Sequence, residues 1–192
     1  MSTAEEIAAT ALEILEKEGP EAVSMRRVAK AVKITPMAIY HHFPNREVLL
    51  NTVVDREFAA FQAELQRQER RGGSHESILL HSLDAYVVYA FRRPRIFDYV
   101  FSQPRENARQ YPEGFRSGQS PSLTAIATMV ERAMEDGFLR QTDIWEVALA
   151  LWAHVHGYVT LYRAGRFNLS ERKFQALVHR STKVLIHGFA HH

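Results

Sequence analysis

The chain has 192 residues, of which 46% are hydrophobic, and this composition favours a globular fold and excludes a disordered chain. No run approaches the roughly 18 apolar residues that cross a bilayer, and the N-terminal segment is acidic and amphipathic rather than basic and then apolar, so we expect a cytoplasmic protein. Cysteine is absent, which excludes disulfides and thiolate zinc sites, and the net charge of +2 alone indicates no class of partner.

The charges are unevenly distributed along the first quarter of the chain. Residues 1–23 contain six acidic side chains and one basic side chain, whereas residues 24–46 contain five basic side chains and no acidic one. The second segment therefore has a formal charge of +5. A charge run is most often a solvated face, so this block indicates a nucleic-acid partner only together with other features.

Apolar spacing and helix caps predict four helices in this region. The first ends near Glu18, before Gly19-Pro20. The second, SMRRVAKAV, is capped by Ser24 and turns Val28, Ala31 and Val32 inward. The third has Thr35 as its N-cap and Pro36 at its first position, and it runs towards Phe43. Pro44 ends it, and Asn45 caps a fourth helix that extends to about Arg71.

The third predicted helix turns one face inward and the opposite face outward. At about 100° per residue, Ile39 and Phe43 define the inward direction, Met37 and His41 lie roughly opposite, and Tyr40 and His42 occupy the two flanks. Adjacent helical residues diverge, so the two histidines do not form the i, i+4 pair that binds one metal ion. Two short helices joined by a tight turn, behind a supporting helix and beside the +5 block, predict a helix-turn-helix.

The stretch from Val23 to Leu50, VSMRRVAKAVKITPMAIYHHFPNREVLL, resembles the DNA-binding domain of TetR/AcrR-family transcriptional regulators. The resemblance implies that Arg26 contacts DNA, that Thr35, Pro36 and Met37 approach the major groove, and that His41 lies over bases or backbone. It implies phosphate contacts for Tyr40, His42 and Arg46. One short recognition helix contacts only a few base pairs, so useful affinity requires a homodimer on a palindromic site.

One residue departs from the family pattern. Lys33 stands in the turn where the family usually has glycine. A non-glycine residue at positive φ costs on the order of 1 kcal/mol. Either the turn is remodelled, or the protein tolerates strain in exchange for another cation that binds phosphate.

Further apolar helices follow residue 71. One has Leu79, Leu83, Tyr86, Val87 and Ala90 on its apolar face, and a shorter one runs from about Pro94 to Ser102. Residues 103–121 are rich in proline, glycine and polar side chains and predict a long loop. Three more helices follow, the first ending near Gly137, the next extending from about Asp143 to Ala164, and the last opening at Ser170.

The helix after Asp143 is apolar nearly all round, which predicts one face inside the domain and one against a second subunit. Its stretch WAHVHG, Trp152 to Gly157, resembles the C-terminal domain of a TetR subgroup marked by Trp-Ala-x-x-His-Gly. With the last helix it predicts a four-helix dimer interface. The predicted interface residues are Leu151, Tyr158, Phe174, Leu177, Val178 and Leu185.

Aromatic residues with polar tips are abundant on the C-terminal helices. In the family these helices enclose an effector cavity, and this resemblance favours an apolar or amphipathic small ligand. The candidate effector residues are Tyr86, Tyr89, Phe97, Phe101, Met134, Trp152 and His156. Each of them also fits an ordinary core, and a buried histidine such as His156 is more often a satisfied core residue than a ligand contact.

We therefore expect an all-α homodimeric repressor that a small apolar or amphipathic effector releases from DNA. It is expected to have about nine helices, with a helix-turn-helix DNA-binding domain over residues 1–46 and an effector-binding and dimerisation domain over residues 47–192. The predicted partners are operator DNA, a second copy and a small-molecule effector, and no membrane, cofactor or metal is expected. Two alternatives stay open: a DNA-binding regulator controlled by a protein partner, and a helical enzyme. No enzyme motif occurs, neither a di-iron Glu-x-x-His pair nor a glycine-rich phosphate loop nor a Gly-x-Ser-x-Gly elbow.

Overall fold

Ten α-helices and no strand are present in the part of the chain that the computed structural model describes, which is residues 2–70, 72–102, 110–117 and 120–191, with the side chains of Glu69 and Pro121 excepted. This confirms the predicted all-α fold class. Among these residues, none of the helices has the length and the apolar character that a bilayer-crossing segment requires.

The residues form two compact units. The first comprises residues 1–59 and 93–105, and the second comprises residues 60–92 and 106–192. Helix α4 (Arg46–Arg70) contributes to both, because its first part belongs to the first unit and its remainder to the second. The functional boundary predicted at residue 46 therefore falls inside the first unit.

The first unit begins with three helices, α1 (Thr3–Glu18), α2 (Met25–Ala31) and α3 (Pro36–His42), followed by the start of α4. A capping box between Ser2 and Glu5 opens α1, and Gly19, at φ 93°, ends it. The side chain of Ser24 accepts a hydrogen bond from the amide of Arg27, at 3.3 Å. The side chain of Asn45 accepts one from the amide of Val48, at 2.8 Å. The sequence predicted both of these caps.

Buried side chains from each of these helices make up the core of the first unit. Helix α2 buries Met25, Val28 and Ala29, so the prediction that Ala31 faces inward is wrong, since Ala31 is exposed. Ala31 is the last residue of the helix, where the chain already turns towards α3. The remaining buried apolar residues of α1, α3 and α4 up to Phe58 are Ile7, Ala8, Ala11, Ile14, Leu15, Ile39, Leu49, Leu50, Val53, Val54 and Phe58.

A segment from the middle of the chain completes the first unit. Helix α6 (Pro94–Phe97) is followed by a π-helical turn over Asp98–Ser102, and α6 packs against α1. Just before α6, the guanidinium of Arg93 bonds to the carboxylates of Glu57, at 2.6 Å, and Glu16, at 3.1 Å. The carboxyl end of α1 is capped by Arg95, which donates to the carbonyl oxygens of Glu16, at 3.3 Å, and Lys17.

The second unit is built on four helices, one of which packs against the other three. Helix α5 (His75–Arg92) packs against α8 (Pro121–Glu135), α9 (Ile144–Arg163) and α10 (Glu171–Gly188). Asp143 caps α9 by accepting hydrogen bonds from the amides of Trp145, at 2.9 Å, and Glu146, at 3.0 Å. The latter bond, together with the bond from Arg116, holds the pKa of Asp143 below its usual value.

The predicted loop over residues 103–121 is partly helical. A short helix, α7 (Glu113–Arg116), lies within it, and residues 103–109 and 118–119 lie outside the described part of the chain. The guanidinium of Arg116 bonds to the carboxylate of Asp143 at 2.7 Å. This ion pair links α7 to the start of α9. Helix α4 extends to Arg70, in agreement with its predicted end near Arg71. Arg71 itself lies outside the described part of the chain.

Candidate DNA-binding surface and effector site

Helix α3 is anchored by its apolar side and presents its other side to solvent. The side chain of Thr35 accepts a hydrogen bond from the amide of Ala38, at 3.1 Å, and so caps the helix. Ile39 is fully buried and Phe43 is nearly so, as the angular pattern predicted. Met37 is 70% exposed and Tyr40 is 47% exposed. The two turns of α3 therefore present side chains to solvent from a helix whose opposite side is packed in the core.

The predicted DNA-binding residues lie on or next to this outward side. Exposed positions comprise Arg26 on α2 and Thr35, Pro36, Met37, Tyr40, His41 and His42. His42, which was predicted on the flank nearer the core, is exposed. In the part of the chain that is described, no group of three or more histidine or carboxylate side chains has the arrangement of a metal site.

Positive charges surround α3 unevenly. Arg26, Lys30 and Lys33 are exposed, whereas the guanidinium of Arg27 bonds to both carboxylate oxygens of Glu18 on α1. That hydrogen bond lowers the pKa of Glu18 and raises the pKa of Arg27. Part of the +5 block is therefore neutralised by α1, and the cations beside the turn remain at the surface.

Arg46 has a structural role that the motif did not predict. Its Nε donates to the carbonyl oxygen of Val23 at 2.7 Å, and its terminal nitrogen donates to that of Pro20 at 2.6 Å. The side chain is partly buried. Because Arg46 is the first residue of α4, these bonds hold α4 against the connection between α1 and α2. A single sequence does not indicate that an arginine of the motif donates hydrogen bonds to backbone carbonyl oxygens.

Four of the seven candidate effector residues come together in the second unit. Oη of Tyr86 lies 2.8 Å from Nδ1 of His156, a hydrogen-bond distance, and the ring of His156 lies 5.2 Å from that of Trp152. The ring of Phe61 on α4 lies 5.7 Å from Tyr86 and 5.4 Å from Tyr89. We call Phe61, Tyr86, Tyr89, Trp152 and His156 the aromatic cluster. Phe61 was absent from the predicted set because it lies on α4, and the candidate effector residues were all taken from later helices.

Burial controls the ionisation of this cluster. Tyr86 is 1% exposed, and burial raises the pKa of its phenol well above the ordinary 10.0. Burial also lowers the pKa of His156 below 6.5. Both groups are therefore neutral at pH 7, and the pair is a hydrogen bond between uncharged groups.

The other candidate effector residues lie elsewhere. Phe97 and Phe101 belong to the first unit, where their ring centroids are 5.2 Å apart and Phe58 lies 5.4 Å from Phe101. Met134 is buried on α8. Phe97 is fully buried, so it forms part of the core of its own unit.

Three of the six predicted dimer residues do not lie at the surface. Leu151, Phe174 and Val178 are at most 1% exposed within the single chain. A side chain that the chain itself covers does not form a contact surface for a second copy, so the prediction is wrong for these three. Phe174 instead packs its ring against that of Tyr162, at 4.4 Å, and that of Phe167, at 5.3 Å.

Other residues of α9 and α10 do lie outward. Tyr158, Leu177 and Leu185 are partly exposed, while Leu161 is 49% exposed and Val184 is 73% exposed. Val184 was not among the predicted interface residues because the apolar stripe of the last helix was chosen by helical periodicity. Periodicity does not indicate which side of that helix is covered by the rest of the chain. Val184 begins the short apolar run of Val184, Leu185 and Ile186.

Protein-family models match most of the chain in two separate parts. Residues 7–53 match the model described as bacterial regulatory proteins, tetR family. Residues 79–191, more than half of the chain, match the model described as tetracyclin repressor-like, C-terminal domain. The chain belongs to the TetR family of transcriptional regulators.

Relatives and solved structures agree with this family. The transcriptional repressor KstR of Mycolicibacterium smegmatis is 25% identical over 151 residues, which cover 73% of this chain and 72% of KstR. A protein of unknown function from Rhodococcus sp. RHA1 has a TM-score of 0.83 at 22% identity, with 100% of this chain and 97% of that chain covered. The Bacillus subtilis regulator FadR, in complex with stearoyl-CoA, has a TM-score of 0.76 at 13% identity, with 96% of this chain and 98% of that chain covered.

Family members are transcriptional regulators with a helix-turn-helix, and the low identities of the solved structures show a shared fold alone. The Trp-Ala-x-x-His-Gly subgroup stays a prediction.

Proposed function

We propose that this TetR-family protein is a repressor that binds a palindromic operator as a homodimer and leaves it when an apolar or amphipathic effector binds. DNA contacts come from residues 1–46, and effector and dimer contacts come from residues 47–192. The observation that carries the DNA-binding part is the exposed side of α3, where Met37, Tyr40 and His41 stand on a helix anchored by Ile39 and Phe43.

The side chains on α3 divide into two chemical classes. The phenol of Tyr40 and the imidazoles of His41 and His42 are hydrogen-bond donors suited to phosphate oxygens, and such contacts position a protein without reading sequence. Pro36 and Met37 offer apolar surface suited to thymine methyl groups, and Arg26 is suited to guanine. The N-terminus of α3, capped by Thr35, favours a nearby phosphate through its amides and its dipole.

Arg46 supports this surface in two ways. The geometry favours a positioning role, because its guanidinium holds the connection before α2 to the start of α4. A guanidinium has five N–H donors, so these bonds leave donors for a phosphate. The two roles predict different results, since loss of positioning lowers stability and loss of a phosphate contact lowers the salt dependence of DNA binding.

The character of α9 and α10 supports a dimer. Residues 147–162 of α9 contain no aspartate, glutamate, lysine or arginine, although Ala153 and Leu161 are exposed. Gly157 lies on the same side, and a Cβ there meets nothing within 4 Å. An uncharged, small-residue face on α9 and the exposed Val184 on α10 fit close packing against the same surfaces of a second copy.

The dimer is tested with Val184→Glu. A carboxylate placed in an apolar contact costs desolvation free energy, so the variant is expected to sediment as a monomer at concentrations where the wild-type protein is a dimer. Val48→Glu, which places the same charge on a partly exposed valine of α4, is the matched control. An unchanged dimer in Val184→Glu excludes this face.

The aromatic cluster supports an effector with a long apolar portion. Its rings provide apolar surface, and Tyr86 and His156 provide a neutral hydrogen-bonding pair among them. The similar fold of FadR, which binds stearoyl-CoA, makes long-chain acyl thioesters the first class to test. We place the effector against this cluster.

The effector releases the protein from DNA because it binds the DNA-free conformation more tightly than the DNA-bound conformation. An effector that prefers the off state by about 2 to 3 kcal/mol per dimer shifts occupancy roughly 30- to 150-fold. We infer that the movement runs through α4, whose residues belong to both units, and alters the separation of the two recognition helices.

The experiment combines footprinting with ligand screening. The protein is footprinted on the DNA that flanks its own gene, with stearoyl-CoA, shorter acyl-CoAs and free CoA as additions. The proposal expects a protected palindrome that long-chain acyl-CoA abolishes and free CoA leaves intact. Protection that no small molecule alters, but a protein fraction does, favours the regulator with a protein partner.

A further inference from the structure

The turn between α2 and α3 has a backbone conformation that does not suit the residue in it. Lys33 has φ 58°, and in the described part of the chain it alone among non-glycine residues has a positive φ. Its amide donates to the carbonyl oxygen of Lys30 at 3.3 Å, and the amide of Ile34 donates to that of Ala29 at 3.0 Å. These two bonds form the Schellman motif that ends α2, whose left-handed position normally contains glycine.

Lysine at this position does not serve the turn. A side chain with a Cβ is strained in the left-handed region, where glycine is not and asparagine is less so. The side chain of Lys33 is exposed, so it also lacks the contacts of a core residue. Strain retained at a surface position indicates a function for the side chain.

The surroundings of Lys33 favour an anionic partner. Residues 24–46 contain no acidic side chain, and Arg26 and Lys30 on α2 are exposed with it. Like charges close together are unfavourable in the isolated protein and become favourable beside a polyanion. Thr35, two residues after Lys33, is the N-cap of α3, and the outward side of α3 is the proposed DNA-binding surface.

We propose that the ammonium of Lys33 contacts a DNA backbone phosphate beside the recognition helix. The inference rests on the proposed DNA-binding function and adds a contact that the family pattern, with glycine in the turn, does not supply. The contact is independent of base sequence because it involves only the phosphate. The left-handed turn directs the side chain away from the core, which is what a phosphate contact needs.

The test uses three substitutions that separate charge from backbone strain. Lys33→Gly removes both, Lys33→Asn removes the charge and keeps a residue that tolerates the turn, and Lys33→Arg keeps both. Lys17→Gln is the matched control, since it removes one exposed positive charge from α1. Each protein is titrated with operator DNA and with unrelated duplex DNA over a salt series, and its melting temperature is measured.

The expected result is a change in salt dependence without loss of stability. In Lys33→Gly and Lys33→Asn, each of the two subunits loses one phosphate contact, and each contact contributes about 0.9 to the slope of log K against log salt. The slope therefore becomes shallower by about 1.8 per dimer on both DNAs. Their melting temperatures stay equal to the wild-type value or rise. Lys33→Arg and Lys17→Gln keep the wild-type slope.

Two outcomes overturn the inference and are distinguishable. If Lys33→Gly and Lys33→Asn keep the wild-type slope while Tyr40→Phe weakens binding, Lys33 does not contact DNA and the proposed function stands. If the wild-type protein binds no duplex DNA at low salt, the proposed function fails and the inference fails with it.

Discussion

Nε of Arg46, at the first residue of α4, donates to the carbonyl oxygen of Val23 at 2.7 Å. A second donor of the same guanidinium reaches the carbonyl oxygen of Pro20 at 2.6 Å. Residues 20–23 connect α1 to α2, so one side chain fixes the start of α4 against the loop that positions the helix-turn-helix. Arg46, to which the family motif assigns a phosphate contact, thus also stabilises the DNA-binding unit through hydrogen bonds within it.

Arg46→Ala is expected to lower both stability and DNA affinity. Hydrogen bonds to a charged group contribute about 1.5–3 kcal/mol each, and partial exposure reduces this, so we expect a loss of about 2 kcal/mol in the free energy of unfolding. Urea denaturation measures it. Arg27→Ala, which loses only an exposed ion pair with Glu18, is the control and is expected to change little. Equal stability of the two variants contradicts the bracing role.

Arg93→Met is expected to destabilise the first unit more than any surface change. Its guanidinium bonds to the carboxylate of Glu57, whose side chain is 5% exposed, at 2.6 Å. Loss of the guanidinium removes a hydrogen-bonded cation from this nearly buried carboxylate, and loss of one member of a buried pair costs about 3–5 kcal/mol. The double variant Arg93→Met, Glu57→Met is expected to recover part of this loss, since no buried charge is left. If the double variant is less stable than Arg93→Met, the desolvation argument is wrong.

Tyr40→Phe and Met37→Ala are expected to affect DNA binding differently. Loss of the Tyr40 hydroxyl removes one hydrogen bond of about 1 kcal/mol from each subunit of the dimer. The total of about 2 kcal/mol weakens binding to every sequence by about 30-fold. Met37→Ala removes apolar surface from the base-reading side and changes the preference at one or two base pairs. Both side chains are exposed, so neither change is expected to alter the melting temperature. Anisotropy titrations on operator and single-base variants separate the two effects.

The stability of the wild-type protein is expected to fall as the pH drops below 6.5. Burial lowers the pKa of His154 and of His156 from 6.5. The unfolded chain therefore binds protons that the folded chain does not, and stability rises with pH through this window. His156→Asn, which keeps a polar group near Nδ1, is expected to have a weaker pH dependence between pH 5 and 7. His41→Asn, on the exposed side of α3, is the control, and equal profiles for the two variants contradict the assignment.

The helix-turn-helix was predictable because its signals are local. Caps at Ser24, Thr35 and Asn45 set the helix starts, and Ile39 and Phe43 fix the rotation of α3 whatever the rest of the chain does. The sequence predicted that the turn at Lys33 is either remodelled or strained. The positive φ of Lys33 shows that the turn is not remodelled and that the strain is retained.

The C-terminal residues were less predictable because periodicity identifies an apolar face but not what covers it. Leu151, Phe174 and Val178 lie on apolar stripes, yet their own chain covers them. Long-range contacts such as Arg46 with Val23, or Tyr86 with His156, join residues far apart in sequence. Neither follows from spacing, because each depends on how separate helices pack.

The most direct test of the central claim is selection of duplex DNA from a random-sequence pool by the purified protein. The account predicts enrichment of one palindromic sequence with two half-sites, bound at about 10⁻⁸ M or tighter at physiological salt. It also predicts that Tyr40→Phe selects the same sequence with lower affinity. A pool that stays random after repeated rounds, with duplex affinity no better than about 10⁻⁶ M, contradicts the claim that this protein recognises an operator.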